Sequence, residues 1–224
     1  FERTGFVSYA NCGLPYYVGG VIEDRDDLTL QSPESFKRRF NIDVRVKSEV
    51  TAIDRANKTV TVKNLADGSE YTVSYDKLIL SPGAKAMVPD TPGVESRRVL
   101  KLRTVEDALE MRRRVEEEKP ERAVVIGGGV GCAIAFPQAK ALYRAGAHVD
   151  VIVGFRTKEL VFLEGSFRKN CTNLYITTDD GTYGEKGFVS NKLDELLSEG
   201  HQYDVAIAIG PVPMMRAISQ VTLP

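Results

Sequence analysis

Two stretches hold residue types whose spacing can do chemistry. The first is Ala123-Val124-Val125-Ile126-Gly127-Gly128-Gly129-Val130-Gly131-Cys132-Ala133. An apolar, β-branched run enters a glycine cluster and leaves into a helix-compatible segment, the strand–turn–helix context in which backbone amides can approach a pyrophosphate. A G-x-G-x-x-G fingerprint would use Gly127 and Gly129 and then ask for a small residue at position 132, where the chain has Cys132. Gly131 comes one place early, so the spacing suits a G-G-V-G loop, Gly128, Gly129, Val130 and Gly131, better than that fingerprint. Glycines also mark plain tight turns, but the strand and helix flanks favour a nucleotide role. The second stretch is Ser8-Tyr9-Ala10-Asn11-Cys12-Gly13, with Cys12 at the predicted start of a short helix. There the positive end of the helix dipole would favour a thiolate, whereas the plainer alternative is a small buried apolar residue.

The elements that must position these residues follow from periodicity. Ser32 caps a predicted helix to Phe40 with Pro33 at its first position. Ile42–Val46 alternates as a strand, and Val50–Ile53, Thr59–Lys63 and Tyr71–Ser74 form a meander with a turn at Asp67-Gly68. Tyr75–Ala84 reads as a buried strand ending in the turn Ser81-Pro82-Gly83-Ala84, residues 85–99 as a proline-rich linker, and Val105–Glu118 as a charged helix stopped by Pro120. Beyond the glycine loop, helices are predicted at Ile134–Ala145, Lys158–Lys169 and Ser190–Ser198, alternating with strands at His148–Gly154, Asn173–Thr178 and Asp204–Ile209. That rhythm predicts a doubly wound parallel sheet with ligand at the carboxyl ends of its strands. Polar and glycine residues collect at those ends: Gly128–Gly131, Phe155-Arg156, Thr178-Asp179-Asp180-Gly181-Thr182-Tyr183-Gly184, and Gly210-Pro211 running to Met214 and Met215.

Bulk composition narrows the classes. Lysines and arginines number 30 and acidic residues 31, so no basic field points to nucleic acid. No run is apolar enough for a membrane span and no secretory leader opens the chain, which predicts a cytoplasmic protein. The three cysteines, Cys12, Cys132 and Cys171, argue against a disulfide framework. His148 and His201 have no cysteine or carboxylate partner at ligand spacing, so no metal is expected. The chain opens on Phe1-Glu2-Arg3 and stops at Leu223-Pro224, which reads as a piece of something longer.

Residues 1–129 resemble the coenzyme A-disulfide reductase and NADH oxidase branch of the pyridine nucleotide-disulfide oxidoreductases, through the Ser-x-x-Asn-Cys run Ser8, Asn11 and Cys12. The resemblance implies that Cys12 is a redox cysteine beside FAD, able to form a mixed disulfide with coenzyme A. It also implies that Glu2 binds the adenosine ribose of FAD and that Ser81, Pro82, Gly83 and Ala84 close over the flavin nucleotide. Residues 123–224 resemble the NAD(P)-binding lobe of ferredoxin-NADP reductase-like proteins, above all the electron-transfer subunits of bifurcating ferredoxin:NADP oxidoreductases and of dihydroorotate dehydrogenase. By that resemblance Gly127 to Gly131 cradle a pyrophosphate, and Arg156 with Thr178, Asp179, Asp180, Gly181 and Gly184 lies near the adenosine ribose. Gly210, Pro211 and Met214 would lie near the nicotinamide, with core packing the alternative for Met214.

The two resemblances meet within Ile126–Gly131. No strand–glycine–helix unit precedes Glu2, so in a 3-2-1-4 strand order the strands at Val44 and Ile79 are expected to flank an empty position. The expected architecture is α/β: an incomplete FAD-binding Rossmann-like lobe with a β-meander, residues 1–119, followed by a parallel-sheet NAD(P)-binding lobe, residues 120–224. The expected function is a flavin-dependent NAD(P)H oxidoreductase, with NAD favoured over NADP, passing electrons through FAD and Cys12 to a small-molecule disulfide or a partner electron-transfer subunit. A nucleotide-binding module without turnover, or a gene fusion without function, is the alternative.

Overall fold

The computed structural model describes residues 1–85, 96 and 99–222. In chain order the first elements are β1 (Ser8–Tyr9), α1 (Leu14–Val18), β2 (Thr29–Gln31), α2 (Pro33–Phe40), β3 (Ser48–Asp54), β4 (Thr59–Asn64) and β5 (Glu70–Ser74). Then come α3 (Val105–Glu118), β6 (Arg122–Gly128), α4 (Gly131–Arg144), β7 (His148–Phe155), α5 (Glu164–Arg168) and β8 (Asn173–Thr178). The last are β9 (Glu185–Lys186), α6 (Val189–Ser198), β10 (Val205–Ile209) and α7 (Val212–Val221). Two compact units result, one from Phe1–Asn11 with Asp24–Ala86, the other from Cys12–Glu23 with Met87–Pro224.

In the first unit β3, β4 and β5 form the expected antiparallel meander, with Val50 opposite Val62 and Val60 opposite Val73. Helix α2 starts as its sequence requires, Ser32 Oγ accepting from Ser35 N at 3.2 Å. Its end turns at Asn41 in the left-handed region, φ 53°. Two expected strands are corrected. Residues 42–46 and 75–84 join no sheet, and Ile79 and Leu80 are 88% and 68% exposed. The reason is pairing: a strand needs a neighbour for its amides and carbonyls, and among the described residues none lies along 75–84. The other segment is engaged by Ile42 N donating to Phe36 O at 3.3 Å and Glu2 N donating to Arg45 O at 2.9 Å.

The second unit is a three-layer α/β sandwich with a five-stranded sheet, order β10-β6-β7-β8-β9, in which every pair is parallel. Strand β6 alternates as a buried central strand must. Ala123 and Val125 face a core shared with Cys132, Ala135 and Ala139 of α4, while Val124 and Ile126 face Val189, Leu193 and Ile218 of α6 and α7. Helix α3 begins in a capping box, Thr104 Oγ1 accepting from Asp107 N at 3.2 Å and Asp107 Oδ2 from Thr104 N at 3.0 Å. The single helix expected over 158–169 is broken. A 3-10 turn occupies Lys158–Leu160, Leu163 turns left-handed at φ 61°, and only then does α5 start.

If residues 78–80 hold no core, Ile79→Ser and Leu80→Ser change the unfolding free energy by less than about 0.5 kcal/mol. A urea midpoint shift worth about 2 kcal/mol or more would place them in a buried strand instead.

Candidate functional site

Because all strands of the second unit run the same way, the turns after β6, β7, β8 and β10 emerge on one edge of the sheet. Strand order reverses beside β6: β7 and β8 follow on one side, and β10 lies on the other. Open parallel sheets bind ligands in the crevice outside the strand ends at such a point. Here the crevice wall is the glycine turn. A Cβ at Gly131 would lie 2.8 Å from the Ile209 carbonyl carbon and 3.1 Å from Gly210 Cα, so the turn packs directly on the end of β10. A Cβ at Gly128 would run into the Met214 thioether and lie 3.3 Å from Pro211 Cδ, and one at Gly210 would lie 2.6 Å from Met214 Cε. Met214 thus fills the slot between Gly128 and Gly210.

The outward side of the turn is open. Gly129, at φ 54°, would direct a Cβ into empty space, its amide is held by Gly154 O at 2.9 Å, and Val130 is 83% exposed. Helix α4 starts there without a side-chain cap. An uncapped 14-residue helix at a glycine turn presents amides and a positive dipole end to solvent, which fits a pyrophosphate. On the neighbouring strands the structure brings Arg156 to the loop 178–184. Asp179 N donates to Phe155 O at 3.0 Å, Asp180 N to Arg156 O at 3.3 Å, and Lys158 N to Thr182 Oγ1 at 3.0 Å. Thr178 Oγ1 closes the loop by donating to Tyr183 O at 2.7 Å. Asp180 accepts from Thr182 N and Oγ1, which holds its carboxyl below the usual carboxylate range. The exposed Gly181 and the exposed Gly184 both have positive φ, 76° and 64°.

The residues assigned to FAD, Glu2 and Ser81 to Ala84, belong to the first unit. Glu2 Oε1 is engaged by Thr4 N at 2.6 Å and Thr4 Oγ1 at 2.8 Å. Ser81, Pro82, Gly83 and Ala84 are exposed and belong to no strand. Ser8 lies on β1 opposite Gln31, and Asn11 is exposed at the start of a 3-10 turn, Asn11–Gly13. Cys12 is exposed, so the reading of it as a small buried residue is corrected. The other two thiols are buried, and burial pushes Cys132 up to about 12 and Cys171 up to about 11.

The sequence reading missed a polar cluster at the opposite, amino edge of the sheet. Asp150, fully buried on β7, accepts from Tyr203 OH at 2.8 Å and from Asn173 Nδ2 at 2.8 Å. His148 Nε2 lies 3.2 Å from one of its carboxylate oxygens and His201 Nδ1 3.4 Å from the other. Both histidines therefore do have a carboxylate partner. The signal was available for one of them, since His148 and Asp150 are two apart on a strand and share a face. Burial, and then the bond to Asp150, raise the Tyr203 phenol well above its ordinary value. Among the described residues no group of three or more His, Cys, Asp or Glu is placed to hold a metal ion.

A parallel sheet with a glycine turn at its switch point defines a dinucleotide-binding α/β fold. The model of the pyridine nucleotide-disulphide oxidoreductase family matches residues 1–171, and the chain belongs to that family. It is 36% identical over 152 residues to the coenzyme A disulfide reductase of Staphylococcus haemolyticus, covering 68% of this chain and 33% of that one. The chain therefore spans about a third of the length of this curated relative. Among solved structures, reduced Bacillus anthracis CoADR-RHD superposes with a TM-score of 0.65 at 31% identity, over 97% of this chain and 40% of that one. The NADH-dependent reduced ferredoxin-NADP oxidoreductase of flavin-based electron bifurcation is 37% identical over 42% of this chain and 33% of that one, with a TM-score of 0.38.

Two glycine substitutions separate packing from binding. Gly131→Ala puts a methyl against the Ile209 carbonyl and costs about 2 kcal/mol of stability. Gly129→Ala costs about 1 kcal/mol from its left-handed backbone while leaving the packing intact, and its methyl stands where the pyrophosphate is expected. Thermal unfolding beside a nucleotide titration distinguishes the two. Thiol titration at neutral pH is expected to find one fast thiol in the native protein, lost in Cys12→Ser, and three after denaturation.

Proposed function

We propose that the protein binds a pyridine nucleotide at the carboxyl edge of its parallel sheet. The observation that carries this reading is the open, uncapped glycine turn packed on β10 where the strand order reverses. In this reading the amides of Val130 and Gly131 at the start of α4 hold the pyrophosphate, with Gly127, Gly128 and Gly129 shaping the turn. Arg156 and Thr178 to Gly184 line the adenosine ribose, and Gly210, Pro211 and Met214 face the nicotinamide. When bound, the reduced nucleotide supplies a hydride. Asp179, exposed beside Arg156, accepts ribose hydroxyls and repels a 2′-phosphate, which favours NAD over NADP. The absence, among the described residues, of a helix long and apolar enough to cross a membrane is compatible with a cytoplasmic setting.

A second reading is favoured by the single exposed thiol. The Cys12 thiolate attacks one sulfur of a small disulfide such as coenzyme A disulfide. The S–S bond breaks, one half leaves as a thiolate, and the other stays as a mixed disulfide with Cys12, which a two-electron donor such as a reduced flavin would have to cleave to free both thiols.

Titration of the whole protein with NADH and NADPH, followed by nicotinamide fluorescence, tests the first reading. Saturable binding, tighter for NADH and lost in Gly129→Ala, supports it, and no binding overturns it. A visible spectrum of the purified protein tests flavin. A yellow band that bleaches with NADH under anaerobic conditions would establish a flavin relay, whereas colourless protein that still binds NADH leaves a nucleotide-binding module. Colourless protein without nucleotide binding leaves a fusion without this function.

A further inference from the structure

The segment that carries Cys12 is short and cannot stand alone. Helix α1 has five residues, far below what is stable in isolation, and it is fastened at both ends. Gln138, buried on α4, donates its amide to Pro15 O. At the other end Gly19 sits so close to α4 that a Cβ would lie 2.7 Å from Pro137 Cβ and 2.9 Å from its carbonyl.

One residue of α3 adds to this fastening. Arg112 Nη1 donates to the carbonyls of Tyr17 at 3.2 Å, Ile22 at 3.1 Å and Glu23 at 3.4 Å. Its guanidinium carbon stands 4.7 Å from the centroid of the Tyr17 ring, and its Nε donates to Glu116 at 2.8 Å, which fixes the plane. A planar cation gathering one carbonyl of α1 and two of the segment after it, stacked on an aromatic ring and oriented by a carboxylate, is a built contact and not a solvated charge. The neighbouring Arg113, by contrast, pairs with Glu110 and Glu117 on the exposed face of α3.

We propose that Arg112 is a positioning residue for Cys12: it docks the short helix that presents the thiol, and disulfide exchange at Cys12 depends on that docking. The inference rests on the second reading above. Loosening 12–23 lets the thiol sample many orientations in place of one, so productive encounters with a disulfide become rarer.

The test uses the whole chain, with glutathione disulfide as the probe and two readouts: the rate of mixed-disulfide formation at Cys12 by mass spectrometry, and amide exchange at Gly19 to Ile22. Those amides now bond back to Pro15, Tyr16 and Tyr17. Arg112→Ala is expected to speed their exchange about tenfold and slow the mixed disulfide about fivefold. Arg112→Lys, whose ammonium cannot stack and fork, should fall between. Thr104→Ala, which uncaps the same helix, should move neither readout.

Equal rates in wild type and Arg112→Ala overturn the positioning role, as does a slower rate without faster amide exchange, or the same changes in Thr104→Ala. A wild type that forms no mixed disulfide sinks the disulfide-exchange reading itself, and the positioning role with it. Should Arg112→Ala not fold, Arg112→Lys carries the same two readouts.

Discussion

The second unit depends on how closely its glycine turn approaches the end of β10. At this corner the chain leaves β6, turns, and starts α4 against the Ile209 carbonyl and Gly210 Cα. Only a residue without a Cβ permits that contact. It lies at the last pair of the register that runs from Val205↔Ala123 to Ile209↔Gly127, α7 starts immediately after Pro211, and Met214 reaches the slot beside Gly128. The crevice is therefore a result of packing on its inner wall, and its outer wall is left to backbone amides.

The amino edge of the same sheet is built on the opposite principle. There Asp204 Oδ2 accepts from the amides of Glu121 and Arg122, both at 2.9 Å, which pins the start of β10 beside the start of β6. Asp150 ties β7 to Asn173 of β8 and to Tyr203 just ahead of β10. A buried carboxylate is costly unless its oxygens are engaged, and here both are. One end of the sheet is closed by side chains with their hydrogen bonds made. The other is left open by glycines, so register is fixed away from the proposed ligand edge.

Much of this was legible in the sequence because it is local or periodic. The meander, the capped helix at Ser32, the charged helix from Val105 to Glu118, the alternation of strands and helices after Glu121 and the glycine turn all follow from patterns a few residues long. What failed was what depends on partners. Ile42–Val46 and Tyr75–Ala84 carry strand sequences, but pairing decides a strand, and their amides find no ladder among the described residues. The break at Leu163 was hidden because a left-handed leucine leaves no compositional mark. For the candidate site, the loops at the carboxyl edge were legible from topology alone, while His201 joins Asp150 only through tertiary contact. Arg112 looked like one charge among many on α3, and only the carbonyls it gathers set it apart.

The likeness to disulfide reductases does not stop at the glycine strand, where the fingerprint departs from expectation. The family model runs on to residue 171, and the superposition on CoADR-RHD covers 97% of the chain. The geometry explains how a changed fingerprint keeps the same fold. In a G-x-G-x-x-G turn the third glycine lets the helix approach the strand. Here that place holds Cys132, and the approach is made from the strand side: a Cβ at Gly127 would lie 2.9 Å from Cys132 Sγ and 3.0 Å from its Cα. The glycine one place early, Gly131, is then free to pack on β10. Strand, turn, helix and next strand keep their positions while the close contacts move by one residue. A buried, apolar β6 satisfies either spacing.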